Sequence, residues 1–495
     1  MLDKDKVDKK IEKEKDKEKP PIPKEELVET NHTVTIKGEK ISYTATVGTI
    51  LIKEEEEKKE PQAKATVFFI AYSRDEIEEV DKRPITFSFN GGPGSSSVWL
   101  HLGVLGPRRV IAENNAQPVP PPYKLINNEF SLLDVTDLVF IDPVSTGYSR
   151  AVPGEEAKQF HEYKKDIKSV AEFIRLYTSR FKRWASPKFL IGESYGTTRA
   201  AGLAGHLQKD LGMYLNGIMF ISSVLNYQTS RFGPGNDLPC ILFLPTYTAT
   251  AWYHNLLPEE LQTDLRQTLV EVTDFALTEY TLALMRGDRL VGNERSQIIQ
   301  KLARYTGLTE KYIEGTNLRI NIHRFVKELM RDKHRTVGRL DSRFTGIDRD
   351  DTGAEMDYDP SYAVIQGPYT ATLNDYVHRD LEFESDLPYE ILTPIYKDWK
   401  FEEFHNQYLN VAETLREAMS INRFLKVFIG KGYFDLATPY FATEYTFNHL
   451  GLDSSLHENI SMAYYEAGHM MYLHPPSLEK MKEDLAGFIQ SAISG

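Results

Sequence analysis

The stretch KFLIGESYGTTRAAGL, residues 188–203, decides the fold of this chain. Within it, Gly192, Ser194 and Gly196 form the pattern G-x-S-x-G, in which a serine lies on a strained turn between a strand and a helix. The pattern alone is a weak signal. Here the apolar run KFLI, a predicted strand, precedes the pattern, and the segment YGTTRAAGLAGHL, a predicted helix, follows it. The stretch therefore predicts a nucleophilic serine rather than a turn that happens to contain small residues.

The rest of the chain predicts the sheet that carries this turn. Alternating apolar and polar residues around Lys37-Gly38-Glu39 predict an N-terminal β-hairpin. Helices are predicted over residues 163–181 and 195–211, between short apolar runs of the kind that parallel sheets bury on both faces. Alternating strands and helices predict an α/β fold with a mostly parallel central sheet. The predicted strands cover residues 65–72, 85–89, 136–141, 188–191, 217–221, 425–430 and 459–465.

The alternation of predicted strands and helices stops near Ser222 and resumes near Leu425. The residues between them have mostly helical patterns. This pause predicts an α/β core over residues 31–221 and 424–495, with an inserted, largely helical cap over residues 222–423. Such a cap usually covers the C-terminal ends of the strands, where α/β sheets bind ligands. Residues 1–30 are predicted to be a charged, disordered tail.

Composition excludes several classes of protein. The net charge of −13 over 495 residues argues against nucleic acid as the main partner, and no apolar run approaches the roughly 20 residues that span a bilayer. The single cysteine, Cys240, excludes an internal disulfide and is expected to be buried. The start MLDKDKVDKKIEKEKDKEKPPIP lacks the apolar region of a signal peptide, so a cytoplasmic location is expected. Export through a leader missing from this chain is the alternative, and the oligomeric state has no sequence signal.

A nucleophilic serine needs a general base, and the base needs an orienting carboxylate. In α/β-hydrolases the acid and the histidine follow the serine in that order, each in a loop after a late strand. Asp435 lies in the loop after LKVFIG, and His469 lies in the loop after NISMAYY. Position and order together predict a Ser194–Asp435–His469 triad.

The same chemistry needs backbone N–H groups that stabilise the oxyanion of the transition state. One donor is expected from Tyr195, the residue after the serine. The other is expected from the glycine-rich loop FNGGPGSSSVW, which follows the strand at residues 85–89. In that loop, Gly91 and Gly92 allow main chain to approach a carbonyl where a Cβ atom would obstruct it.

With these residues identified, the chain resembles the serine carboxypeptidase family. The segments NGGPGSSS, IDPVSTGYS, GESYG, GYFDLATP and AGHMMY occur here in that family's order. The resemblance implies an α/β-hydrolase core with an inserted helical cap, and a triad of Ser194, Asp435 and His469. It also implies an oxyanion hole from the N–H groups of Gly92 and Tyr195, and no metal or organic cofactor.

The resemblance further implies that Asn90, Gly91 and Glu193 bind the terminal carboxylate of the substrate. An ionised Glu193 would repel that carboxylate in a desolvated site. A protonated Glu193 would instead donate a hydrogen bond to it, which favours activity at acidic pH. In the alternative, Glu193 only braces the turn.

Three departures from the family pattern concern this recognition. Val104 stands where the family commonly has an acidic partner of Glu193, and Ser95 replaces a usual cysteine of the glycine loop. Met470-Met471-Tyr472 follows the histidine in place of the commoner Met-Val-Pro. The departures predict a more neutral pH optimum and resemble a bacterial branch of the family.

The predicted function is hydrolysis of C-terminal residues from peptides with a free C-terminus, by way of an acyl-enzyme. An esterase or acyltransferase with the same triad is the second hypothesis, and a catalytically inactive binding protein on the same fold is the third. In the cap, Arg339, Arg343, Trp252 and His254 are candidates to line the cleft, although ion pairs and core packing account for such residues more often.

Overall fold

The computed structural model describes residues 21–54, 60–111, 116–401 and 404–494. Most of the predicted charged tail, residues 1–20, lies outside the described residues, as do residues 55–59 of the acidic run that follows the N-terminal hairpin. The strands are β1 (Leu27–Ile36), β2 (Glu39–Glu54), β3 (Gln62–Arg74), β4 (Ile85–Phe89), β5 (Arg108–Val110), β6 (Leu125–Asn127), β7 (Asp137–Ile141), β8 (Arg150–Ala151), β9 (Lys188–Glu193), β10 (Gly217–Ile221), β11 (Thr336–Val337), β12 (Thr345–Gly346), β13 (Lys426–Gly432) and β14 (Ile460–Tyr465).

The helices alternate with the later strands. They are α1 (Val98–Leu100), α2 (Tyr163–Arg180), α3 (Tyr195–Leu211), α4 (Leu238–Tyr253), α5 (Glu259–Gln262), α6 (Leu265–Phe275), α7 (Thr281–Arg286), α8 (Gly292–Thr306), α9 (Glu310–Gly315), α10 (Ile322–Glu328), α11 (Pro360–Arg379), α12 (Ala412–Ile421), α13 (Tyr440–Asn448) and α14 (Pro475–Ile493). Single π-helical turns follow α1 and α6, at His101–Leu105 and Ala276–Tyr280. Short 3₁₀ turns occur at Leu132–Asp134, Ala157–Phe160, Tyr227–Thr229, Gly287–Arg289, Arg331–Lys333, Pro394–Lys397, Ser454–Asn459 and Met471–Leu473.

Within the described residues, ten strands form one sheet with the order β1-β2-β3-β7-β4-β9-β10-β13-β14, and β8 pairs with β3. Strands β1 to β3 are antiparallel, and β3 joins β7 in the same way. From β7 to β14 every neighbouring pair is parallel. The predicted hairpin and the predicted strands are all present, which confirms the α/β-hydrolase fold class.

Two hydrophobic layers cover the two faces of the sheet. Side chains alternate along β9 with a period of two, so Phe189 and Ile191 join one layer while Leu190 joins the other. Helices α11 and α14 contribute to the first layer, and α2, α3 and α12 contribute to the second. Because both faces are covered by helices, the central strands β4, β7, β9 and β10 are buried and mostly apolar, as is typical of parallel sheets.

The segment 222–423 does not pack as one unit. Residues 240–337 form a separate hydrophobic cluster with the loop after β13 and the start of α13, and Cys240 is buried within it. Helices α11 and α12 instead pack on the sheet, so part of the predicted cap belongs to the core layers. At the other end, β1 begins at Leu27, inside the segment 1–30 that was expected to be a tail. In the described part of the chain, no helix is both long and apolar enough to cross a bilayer.

Candidate active site

Ser194 lies on the turn between β9 and α3. Its backbone has a φ of 60° and a ψ of −129°, which is a strained conformation for a residue with a side chain. The two flanking glycines make this turn possible. A Cβ atom on Gly192 would lie 2.2 Å from the carbonyl oxygen of Gly196, and one on Gly196 would lie 2.8 Å from the carbonyl oxygen of Phe89. The G-x-S-x-G spacing therefore follows from close contacts of the main chain around the serine.

Asp435 and His469 meet at the carboxyl ends of β13 and β14. Oδ2 of Asp435 lies 2.9 Å from Nδ1 of His469. Oδ1 accepts the backbone N–H groups of Ala437 and Thr438, each at 2.9 Å, and the Thr438 hydroxyl donates to Oδ2 at 2.7 Å. Burial would raise the pKa of Asp435, but His469, the ammonium of Lys431 and these hydrogen bonds lower it to about 2. The carboxylate is therefore ionised and oriented toward the imidazole.

The main chain of His469 is held on both sides. Its N–H donates to the carbonyl oxygen of Leu340 at 2.6 Å, and its carbonyl oxygen accepts the hydroxyl of Ser222 at 2.6 Å. Ser194 and His469 line the same cavity. In the described part of the chain, no hydrogen bond joins the hydroxyl of Ser194 to the imidazole of His469. The structure thus brings two of the three predicted triad residues into direct contact and places the third in the same cleft.

The glycine loop after β4 lies against the turn that carries Ser194. A Cβ atom on Gly91 would lie 2.4 Å from the backbone nitrogen of Tyr195, so only glycine fits there. Gly92 has a φ of 106°, in the region that favours glycine. Among the described residues, the N–H groups of Gly92 and Tyr195 have no hydrogen-bond acceptor. Both predicted oxyanion donors are therefore free to bind a ligand oxygen.

A buried ion pair behind the nucleophile was missed in the sequence. Nε of Arg199 donates to Oδ2 of Asp166 at 2.9 Å, and its Nη1 donates to the carbonyl oxygen of Asn90 at 2.6 Å. The hydroxyl of Tyr195 also donates to Asp166, at 3.2 Å. This ion pair joins α2, α3 and the glycine loop. The sequence feature that could have indicated it is Arg199, the single charged residue among the small residues TTRAAG.

Glu193 is buried beside Ser194. Nδ2 of Asn90 donates to its Oε1 at 2.9 Å, and the hydroxyl of Tyr472 donates to its Oε2 at 2.8 Å. Burial raises the pKa of Glu193 to about 7, against the opposing effects of His469 and these two donors. Tyr472 reaches Glu193 because its ring packs where a side chain on Gly103 would lie. A tyrosine hydroxyl thus contacts Glu193, and Val104, the chain neighbour of Gly103, is buried.

A five-residue segment, the strap (residues 339–343), runs across the loops after β13 and β14, which carry Asp435 and His469. The carbonyl oxygen of Arg339 accepts the N–H of Leu436 at 3.1 Å, and the N–H of Ser342 donates to the carbonyl oxygen of Phe434 at 3.0 Å. With the bond from His469 to Leu340, the strap contacts the loop of each triad partner. The strap, whose Arg339 and Arg343 were candidates to line the cleft, therefore also supports the Asp435–His469 pair.

Of the four residues that were candidates to line the cleft, the structure places only one, Arg339, in a cavity at Ser194. Arg343 is buried and paired with Asp341, with Nη2 and Oδ2 at 2.6 Å, and Asp341 accepts the N–H of Gly468 at 3.1 Å. His254 contacts the carbonyl oxygen of Ser342 at 2.7 Å. These residues, like Trp252, line neither cavity at Ser194. The fourth candidate, Arg339, lines both.

Two cavities meet at Ser194. The larger, here the Glu193 cavity, has a volume of about 480 Å³ and is also lined by Asn90, Gly91 and Trp99. The smaller, here the Arg231 cavity, has a volume of about 240 Å³, and its other lining residues include Tyr195, Tyr227, Phe243 and Leu436. Both cavities share five lining residues, which are Gly92, Ser194, His323, Arg339 and Leu340. A molecule bound at Ser194 can therefore extend in two directions.

The sheet order, the turn at Ser194 and the loops after β13 and β14 define an α/β-hydrolase. A solved structure supports the fold: the crystal structure of a prohormone-processing carboxypeptidase from Saccharomyces cerevisiae aligns with a TM-score of 0.56 and 16% identity. The alignment covers 90% of this chain and 91% of that one.

The chain belongs to the serine carboxypeptidase family, because the model of that family matches residues 57–492. It is similar to the pheromone-processing carboxypeptidase KEX1 of Saccharomyces cerevisiae, with 30% identity over 155 residues. It is also similar to the serine carboxypeptidase-like protein 29 of Arabidopsis thaliana, with 27% identity over 122 residues. These matches cover 30% and 24% of this chain, and they span 20% and 24% of the length of the two relatives.

Proposed function

We propose that this chain is a serine carboxypeptidase in which Ser194 is the nucleophile, His469 the general base and Asp435 the group that orients the imidazole. The single observation that carries the proposal is the hydrogen bond between Asp435 and His469 in the cleft that Ser194 also lines. Family membership supports the same reaction. Catalytic hydrogen bonds are often long in a free enzyme and shorten when substrate binds, so the proposal requires Ser194 and His469 to form their hydrogen bond in the substrate complex.

The reaction follows from these roles. Nε2 of His469 takes the proton of the Ser194 hydroxyl as the oxygen attacks the last peptide carbonyl. The N–H groups of Gly92 and Tyr195 stabilise the oxyanion that forms. His469 then gives its proton to the leaving amine, and the C-terminal residue departs. Water, activated by the same histidine, hydrolyses the acyl-enzyme and restores Ser194.

Recognition of a free C-terminus is assigned to Asn90, Gly91 and Glu193. Its support is their common position in the Glu193 cavity, beside Ser194. A pKa of about 7 leaves the carboxyl of Glu193 largely protonated below neutral pH, and in that state it can donate a hydrogen bond to a carboxylate. Peptides with a free C-terminus are accordingly the proposed substrates. A cytoplasmic location stays a prediction from the sequence.

Replacement of the nucleophile tests the proposal. We expect Ser194→Ala to lower kcat for release of the last residue of blocked dipeptides by about 10⁴-fold or more, because the nucleophile is lost. Ser296→Ala is the matched control, since Ser296 is exposed on α8 and lines neither cavity at Ser194. Circular dichroism checks that both variants fold. Full activity of Ser194→Ala would overturn the assignment.

A second set of measurements separates the two alternative functions. Replacement of the family's usual acid by Val104 motivates the esterase or acyltransferase, and kcat/KM for a dipeptide acid, its amide and its ester discriminates it from a carboxypeptidase. A strong preference for the ester over the acid would favour that alternative. Covalent labelling of Ser194 by an organophosphonate would exclude the inactive binding protein.

A further inference from the structure

The Arg231 cavity lies on the acyl side of the proposed reaction. The residues assigned to the C-terminal carboxylate, Asn90, Gly91 and Glu193, line only the Glu193 cavity. The leaving residue therefore occupies that cavity, and this placement rests on the proposed function. The part of the substrate that acylates Ser194 must then extend into the Arg231 cavity. Its last side chain, that of the penultimate residue of the peptide, meets the lining of the smaller cavity.

That lining carries an uncompensated positive charge. Arg231 and Arg339 are the charged side chains among the described residues that line it, and no aspartate or glutamate is among them. Neither guanidinium has a hydrogen bond or an ion pair with another described residue. Arg231 is exposed and lies over the ring of Tyr227, 5.6 Å from its centroid, while Arg339 is half-buried at the junction of the two cavities.

Three carboxylates of this region have other partners, and exposed Glu355 interacts electrostatically with His323 in the lining. Asp237 forms an ion pair with Arg319 at 2.7 Å, and Asp435 is bonded to His469. Asp359 accepts the backbone N–H of Arg339 at 3.1 Å, not its guanidinium. Among the described residues, two arginines that line the same cavity as Ser194 thus have no acidic partner, in a chain with a net charge of −13. They leave the donors of two planar guanidinium groups available to a ligand.

We propose that the Arg231 cavity binds a carboxylate side chain, so that peptides with glutamate or aspartate as the penultimate residue are the preferred substrates. A guanidinium binds a carboxylate through two parallel N–H···O bonds, which a neutral amide cannot match in strength. Phe243 and Tyr227 supply apolar walls for the methylene groups of the side chain. The partial exposure of Arg231 limits the gain, because solvent and salt screen the attraction.

Blocked dipeptides test this preference directly. The series has glutamate, glutamine or lysine before a common C-terminal leucine, and kcat/KM is measured at pH 6.5. We expect glutamate to exceed glutamine by about tenfold, a difference of about 1.4 kcal/mol, and lysine to be the poorest of the three. The ratio of glutamate to glutamine is expected to fall as NaCl is raised from 0.05 to about 0.5 M. A ratio near one at low salt would overturn the proposal.

Matched arginine variants assign the preference to the cavity. Arg231→Gln and Arg339→Gln should each lower the glutamate-to-glutamine ratio by about threefold or more, while kcat/KM for the glutamine peptide changes less. Arg324→Gln is the control, because Arg324 is exposed on α10 next to His323 but lines neither cavity. An unchanged ratio in both cavity variants would contradict the proposal. Because Arg231 is exposed, its variant is expected to fold normally.

A parallel measurement separates this proposal from the proposed function. The p-nitrophenyl esters of blocked glutamate and glutamine acylate Ser194 without a C-terminal leaving residue. If the esters show the preference and lose it in Arg231→Gln while no peptide is cleaved, the cavity assignment stands and the carboxypeptidase assignment fails. If the peptides are cleaved but neither peptides nor esters show the preference, the carboxypeptidase assignment stands and the cavity assignment fails.

Discussion

Asp435 and Glu193 are two carboxyl groups of one site that are almost equally buried but whose pKa values are shifted in opposite directions. Their exposed fractions are 0% and 3%. The pKa of Asp435 is lowered to about 2, while that of Glu193 is raised to about 7. Since burial raises the pKa of both, it cannot account for the opposite outcomes.

The partners of the two groups account for the difference. Asp435 faces a basic imidazole and the ammonium of Lys431, and it accepts two backbone N–H groups and one hydroxyl. Glu193 also interacts with the charge of His469, but its hydrogen-bond donors, Asn90 and Tyr472, are neutral, and the negative charge of Asp435 works against its ionisation. A buried carboxyl group therefore stays ionised only where cationic neighbours offset its loss of hydration. Two environments give one permanent anion and one group that titrates near neutrality, which is a general device for dividing roles in an active site.

The largest effect is expected from neutralising the permanent anion. Asp435→Asn keeps the size of the side chain but removes the charge that stabilises the imidazolium and fixes its tautomer. We expect kcat to fall by about 10³- to 10⁴-fold, with KM within about threefold of its original value. Steady-state kinetics on a blocked dipeptide give both constants. A loss in kcat below about tenfold would mean that Asp435 is not the orienting carboxylate.

An intermediate effect is expected from fixing the titrating group in its neutral form. The protonated fraction of Glu193 falls as pH rises through about 7, so KM for a peptide acid should rise above that pH. Glu193→Gln keeps an N–H donor at every pH, and we expect KM to become nearly independent of pH between 6 and 8. At pH 8 the variant should therefore have a KM lower than that of the unmodified enzyme by up to about tenfold.

A substrate whose C-terminus is an amide controls this measurement. Its KM should show no rise above pH 7 in either protein, because no carboxylate repels ionised Glu193. If the unmodified enzyme shows the same KM for the peptide acid at pH 6 and pH 8, Glu193 does not recognise the substrate through its protonated form. Glu193 would then only brace the turn.

The smallest effect is expected from the tyrosine that contacts Glu193. Its hydrogen bond lowers the pKa of Glu193, so Tyr472→Phe should raise that pKa further and move the rise in KM to higher pH. At pH 6 we expect kcat/KM to change by less than about threefold, since Glu193 is already protonated there. The KM–pH profile measures the shift, and Tyr305→Phe, in the segment 222–423, is the control. A rise in KM that began at lower pH would contradict this account of the site.

The sequence was sufficient for the parts of the site that depend on local pattern. Ser194, Asp435 and His469 each follow an apolar run, and strand ends of a parallel sheet meet at one edge, so their neighbourhood could be predicted without any knowledge of contacts. Gly91 was predicted from the approach of main chain to a reacting carbonyl, and the structure adds a second reason, the backbone nitrogen of Tyr195 that a Cβ atom would meet. The fold class followed from the same strand pattern.

The parts that depend on distant contacts could not be predicted. The hydroxyl of Tyr472 contacts Glu193 across a separation of 279 residues, and the only signal was that Tyr472 departs from the family pattern. The pairing of Asp341 with Arg343 is local, but its contact with Gly468 is not. The boundary of the segment 222–423 was too broad because α11 and α12 carry the same helical pattern whether they pack on the sheet or in a cap. Periodicity identifies a buried face without identifying what covers it.

The strap limits which parts of the inserted segment can vary without disturbing the site. Residues 339–343 bond to the main chain of the loops that carry Asp435 and His469. A deletion there is therefore expected to disrupt the Asp435–His469 pair as well as the cover of the cleft. Among the described residues, the outer helices α6 to α8 form no main-chain hydrogen bond with either loop. Some of their side chains, such as that of Met285, are exposed. Substitutions on the outside of the inserted segment are therefore expected to disturb the Asp435–His469 pair less than substitutions within its five innermost residues.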